Sequence, residues 1–269
     1  MKRSGLIWGA VLVILGILLL VDNLGLLDAL GINLWGVIWP VLLILFGVWI
    51  LWGAFGGRRA LEGEQVAIPD EGASQAEIRF NHGAGRLAIT AGASAGNLVE
   101  GTFAGGLDHK TSRAGDTLKV DLSVPTDRMW FFPFNWGQRY GYEWTVGLSR
   151  DVRLTLDLRS GANEARLDLS DLKVTDLRIQ TGASSTELTL PAHAGYTRAE
   201  VKSGAASVSI TIPPNVAARI QARGGLADFN WDRQRFTRSG DIYQSADYES
   251  AANKVEIFVE TGVGSVKIR

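Results

Sequence analysis

Three histidines, His82, His109 and His193, are the side chains best suited to proton transfer or metal ligation near neutral pH. None has a carboxylate or a second histidine at metal-ligand spacing, so each reads as a surface side chain. Gly83-Ala84-Gly85 and Gly262-Val263-Gly264 have the composition of phosphate-binding loops. Neither leads into a helix or precedes Gly-Lys-Ser/Thr, so both read as turns of a β-coil. Acidic residues alternate with apolar ones, as in Leu167-Asp168-Leu169. That pattern puts them on a solvated face, not in a shared low-dielectric pocket where two carboxyl pKa values could separate. Ser184-Ser185 and Ser207 have no paired base in the sequence. The absence of cysteine removes disulfides, thiolate metal sites and thiol nucleophiles together. The expectation is a protein that is not an enzyme, with no catalytic residue, cofactor or metal.

A second chemistry is that of contact. Between Met129 and Trp144 stand Trp130, Phe131, Phe132, Phe134, Trp136, Tyr140, Tyr142 and Trp144, eight aromatics in 16 residues. Pro133, Asn135-Trp136-Gly137 and Gly141 mark turns among them. One reading is an inserted hairpin whose rings pack over an open side or end of the domain and protect a strand edge. The other is a lip that meets a partner or the membrane interface, where Trp and Tyr are favoured.

The elements that must carry these residues are repetitive. Leu156-Asp157-Leu158-Arg159-Ser160-Gly161 precedes Ala165-Arg166-Leu167-Asp168-Leu169, and units around Gly182 and Gly204 repeat the pattern. Similar units surround Gly83 and Gly262, and a less regular copy runs from Ala218 to Gly224. Alternation within each run makes half-buried strands, and the intervening glycine permits positive φ or close backbone stacking. Recurrence near 21 residues favours stacked rungs, a single-stranded β-solenoid over 75–269, above an evenly spaced antiparallel sandwich. Residues 58–74 read as a linker with Pro69-Asp70-Glu71-Gly72 as its turn. With 27 Lys+Arg against 28 Asp+Glu, no basic surface calls for nucleic acid.

The first 57 residues have a different character. Leu6–Val21 and Leu34–Gly57 are free of charge, and the pair reads as a transmembrane helical hairpin over 1–57. A secretory signal is the competing reading, disfavoured by the second apolar run and the lack of a small-x-small site before Asp22. Gly5, Gly9 and Gly16 fall on one helical stripe, and Gly36, Pro40 and Gly47 repeat the spacing, which suits close helix packing in lipid. Lys2-Arg3 and Arg58-Arg59 flank the hairpin, so a cytoplasmic large domain in a multi-pass membrane protein is expected.

The segment from Gly5-Leu6-Ile7-Trp8 to Asp22-Asn23-Leu24-Gly25, with Trp39-Pro40 and Gly47, resembles the transmembrane region of LiaF- and LiaI-like cell-wall-active antibiotic response proteins. The glycine-centred strand units resemble the toastrack-type C-terminal domain of the same family. That resemblance implies a non-enzymatic regulator of envelope-stress signalling, partnered by the lipid bilayer and a membrane sensor histidine kinase. Two alternatives are a self-assembling β-solenoid scaffold, as a homo-oligomer, and an extracytoplasmic adhesin-like binding module.

Overall fold

The structure, a computed structural model, describes residues 63–125 and 142–269. Period-two alternation shapes its strands. In β7 (Arg153–Asp168), Leu154, Leu156 and Leu158 point inward and are buried, while Arg153 and Arg159 are exposed. The strand bends at Gly161, and its second arm buries Ala165 and Leu167. Next to it run β8 (Lys173–Thr189) and β9 (Tyr196–Thr211), both parallel. Leu156 stands beside Leu177 and Leu177 beside Ala199, while Leu167, Leu188 and Ile210 make the matching row on the second arm. The core lies between the two arms, and each buried Leu, Ile or Val contributes about 1.5–3 kcal/mol.

Six bent strands form the parallel stack. Its order is β2 (Gln75–Thr90), β7, β8, β9, β13 (Lys254–Ile268) and β10 (Ala217–Trp231). The unit around Gly262, last in the chain, sits inside the stack, between β9 and β10. Within β10 the unpaired residue opposite Gly262 is Gly225, not Gly224, because Gly224 pairs with Thr261 and Leu226 with Val263.

Both ends depart from a pure solenoid. Beyond β2, the first arm pairs with β5 (Thr117–Ser123) and the second with β6 (Tyr142–Leu148), each parallel. These two strands are the arms of one further rung whose bend is replaced by residues 124–141. Antiparallel strands complete that end. The strand β4 (Asp108–Ala114) lies on β5, and β3 (Asn97–Ala104) lies on β6 with β1 (Gly63–Pro69) outside it. Every residue of β4 is exposed, and its Lys110 and Arg113 give that edge the charge that discourages further pairing. At the other end β12 (Ile242–Gln244) meets only Arg219 and Ile220 of β10, with β11 (Thr237–Ser239) beyond it. The second arm of β10, from Leu226 to Trp231, has no further strand paired to it among the described residues.

Two expectations are corrected. The fold is an all-β, sheet-rich domain, and the described residues contain no helix long and apolar enough to cross a membrane. The helical hairpin expected over 1–57 falls outside the described residues, and the fold class is stated for the described ones alone, as all-β. The expected linker over 58–74 contains β1, which pairs with β3 through alternating Val66 and Ile68, so it is part of the sheet. Its turn is real: Glu71 and Gly72 both have positive φ, and the Gly72 N–H donates to Asp70 Oδ1 at 2.9 Å.

Candidate functional site

The bends of the six rungs lie in one row, occupied by Gly83, Gly161, Gly182, Gly204, Gly262 and Gly225. None of the six has a positive φ. At the inner rungs the requirement is proximity. A Cβ on Gly182 would stand 2.7 Å from the Gly161 carbonyl oxygen, one on Gly204 2.8 Å from that of Gly182, and one on Gly262 2.7 Å from that of Gly204. Such distances leave no room for a side chain. Positive φ belongs instead to Gly85 and Gly264, at 140° and 138°.

A row without side chains becomes the floor of a groove. It runs across the rungs with a volume of about 1200 Å³. Its wall is built by the residues two before each glycine, namely Asn81, Arg159, Gln180, Lys202, Glu260 and Arg223. Two of the cations are held from the same strand. Arg159 donates through Nε to Asp157 Oδ1 at 3.2 Å and through Nη2 to Oδ2 at 2.9 Å. Lys202 Nζ lies 2.7 Å from Glu200 Oε1. The hydrogen bond from Lys202 holds the Glu200 carboxyl below its ordinary pKa range and raises that of Lys202 in return. Hydroxyls lie one residue nearer the bend: Ser160, Thr181, Ser203 and Thr261 stack in register, and Thr181 Oγ1 is 2.9 Å from Ser184 Oγ. The Oγ atoms of Ser160 and Ser203 are buried without a protein partner.

At the β2 end of this hydroxyl row stands His82, only 1 % exposed. Its ring meets Trp144 edge-on at 5.0 Å, and neither nitrogen makes a well-formed hydrogen bond. Burial pushes its pKa down to about 4, partly offset by the Tyr142 backbone, so it is neutral near pH 7. The surface position expected for His82 is therefore wrong, because it occupies the inward-turned place just before the bend. His109 and His193 are exposed, as expected. Among the described residues no three His, Cys, Asp or Glu side chains are grouped to hold a metal. Ser207 Oγ faces Ser265 Oγ at 3.4 Å, a contact between two hydroxyls rather than with a base.

Of the aromatic insert, Tyr142 is half-buried and Trp144 fully buried against Phe103 and His82. Trp144 is thus a core residue, removed from the set of partner contacts. Trp130, Phe131, Phe132, Phe134, Trp136 and Tyr140 lie outside the described residues, as do Gly5, Gly9, Gly16, Gly36, Pro40 and Gly47. The groove wall was not singled out in the sequence. Superposing the units on their glycines would have shown it as one polar column.

Residues 57–211 match the family described as the N-terminal domain of toast_rack, DUF2154. The fold matches the crystal structure of a candidate cell adhesion protein from Clostridium sporogenes ATCC 15579 at a TM-score of 0.69 and 21% identity, covering 77% of this chain and 98% of that one. A candidate adhesin from Bacteroides fragilis NCTC 9343 matches at a TM-score of 0.27 and 8% identity, over 79% of this chain and 98% of that one. No curated protein matches the sequence significantly. The assignment to LiaF- and LiaI-like proteins is corrected accordingly, since what matches is the toastrack part. With it go the multi-pass membrane location, the lipid bilayer and sensor kinase as partners, and the envelope-stress regulator role. The described residues contain no helix long and apolar enough to cross a membrane.

Proposed function

The chain belongs to the toast_rack N-terminal domain family, and from that premise we propose that it is a non-catalytic, adhesin-like binding module that holds an extended ligand along its glycine row. One observation carries the reading: an open groove of about 1200 Å³ with a polar wall crosses all six rungs, and its floor is kept bare at the inner rungs by the packing of the stack itself. Its side chains are donors and acceptors fixed on a rigid sheet, which suits recognition. No nucleophile in it is paired with a base. The name of the Clostridium protein points the same way. The test is an array of glycans and peptides probed with the purified full chain and with Arg159→Ala and Lys202→Ala. Ligands retained by the wild type and released by both variants are expected. Retention by both variants, or chemical conversion of a retained ligand, would overturn the reading.

Self-assembly has one observation of its own in favour. The Leu226–Trp231 arm has an open edge among the described residues and carries Leu226 at 80 % exposure. Sedimentation that stays monomeric across a hundredfold concentration range would dismiss it.

A further inference from the structure

We propose that the ligand of the groove is a linear acidic polysaccharide carrying one carboxylate per disaccharide. The inference rests on the groove reading above and assigns its substrate class. Along the wall the order is Asn81, Arg159, Gln180, Lys202, Glu260, Arg223, so a cation stands on every second rung. Adjacent strands are about 4.8 Å apart, which places the cations at intervals of about 9.6 Å. That interval matches the length of an extended disaccharide. Between the cations, Gln180 and Glu260 offer hydrogen bonds to a neutral sugar, and Glu260 would repel a second acid on the intervening ring.

A second recess adjoins the groove and favours sugar over peptide. It has a volume of about 290 Å³ and shares Lys202, Arg223 and Glu260 with the groove wall. On its floor lies Phe258, half-buried on the outward face of β13, where the register of the other rungs places Glu200 and Gln221. The Arg198 guanidinium lies over one face of the ring, 5.3 Å from its centroid. The part of this half-buried ring that Arg198 leaves open, flanked in register by Glu200 and Gln221, is a platform for the apolar face of a pyranose whose neighbour carries the acid. An acidic peptide finds less here. The backbone beneath the groove is already paired into the ladder, and the groove lining has no apolar pocket to read side chains.

The test is calorimetric titration of the full chain, at low salt, with four probes. These are a hyaluronan octasaccharide, an oligogalacturonate with an acid on every ring, cellohexaose and a polyglutamate peptide. The octasaccharide is expected to bind tightest and to weaken as salt rises. Affinity should fall about tenfold or more in Lys202→Ala/Arg223→Ala and in Phe258→Ala, with thermal melting confirming the fold of each. Lys110→Ala, on exposed β4 away from the groove, should bind as the wild type does. Binding of polyglutamate but not the octasaccharide, lost in the double variant, would overturn the polysaccharide and leave the groove reading intact. Octasaccharide binding that the double variant keeps would overturn both. Equal binding of cellohexaose, or no binding by any probe, would overturn the polysaccharide assignment alone, the array deciding the groove.

Discussion

Replacing Gly204 by alanine tests the claim that the glycine row is dictated by proximity of neighbouring rungs. The new Cβ would meet the Gly182 carbonyl oxygen at 2.8 Å, whereas ordinary contact begins near 3.4 Å. About 0.6 Å must come from parting β8 and β9 at their bends, since the obstacle is backbone. The parting strains the flanking ladder at Thr181–Ser203 and Ala183–Ala205. Overpacking of this kind costs about 1–3 kcal/mol, and one weakened ladder hydrogen bond adds about 1 kcal/mol. The stiffer unfolded chain returns about 0.4–1 kcal/mol. The net loss is about 1–3.5 kcal/mol, or a fall in Tm of roughly 3–12 °C for a domain of this size. Urea unfolding of the full chain, followed by far-ultraviolet circular dichroism, measures it. Gly83→Ala is the control: it occupies the same position on the outermost of the six rungs, its Cβ meets no described atom within 4 Å, and its φ is not positive. It should be neutral or slightly stabilising. Gly161→Ala, with its carbonyl contact at 3.1 Å, should fall between them. If Gly182→Ala, Gly204→Ala and Gly262→Ala all unfold within about 0.5 kcal/mol of Gly83→Ala, the stacking argument is refuted.

Acid should reach the domain partly through His82. The unfolded chain binds a proton below pH 6.5 and the folded one only near pH 4. The stability that neutral His82 permits is therefore complete above pH 6.5 and lost as pH falls towards 4, about 2 kcal/mol by pH 5. His82→Leu should flatten the difference between urea midpoints at pH 7 and pH 5, and an unchanged difference counts against the assignment. Trp144→Ala should cost about 3–5 kcal/mol, because the ring is fully buried, and a cost below 1 kcal/mol on unfolding would contradict its place in the core. Arg235 spans a return turn by donating to the carbonyls of Ile212, Pro213 and Val216 at 3.0, 2.8 and 3.0 Å. Arg235→Met should lower stability by about 1–3 kcal/mol with hydrogen exchange quickening around residues 212–216, and unchanged exchange there would refute the clamp.

Rung-forming strands were legible wherever alternation and the glycine kept phase. Leu156 and Leu158, Leu177 and Ile179, and Ala199 and Val201 all turn inward as their spacing requires. The seat of β13 was not legible, because a rung carries the same pattern wherever it docks, and nothing local distinguishes β9–β10 from β9–β13. Thr117–Ser123 and Tyr142–Leu148 were not readable as one rung, because 18 intervening residues erase the period. His82 was misread because its polar neighbours suggest exposure, while the bend turns the residue before the glycine inward. The groove went unseen for a related reason: it is made by missing side chains, and only the register between rungs aligns the column beside it.

The insertion of β13 between β9 and β10 bears on how the chain finds its native state. Before residues 254–268 arrive, the free edge of β9 faces β10, whose Gly225 offers the same bend as Gly262. Early docking there buries apolar surface in a near-native register and leaves the later strand without a berth. If that step precedes the last strand, refolding of the full chain is expected to show a slow phase that deleting 217–231 removes, and single-phase refolding of the full chain would refute it.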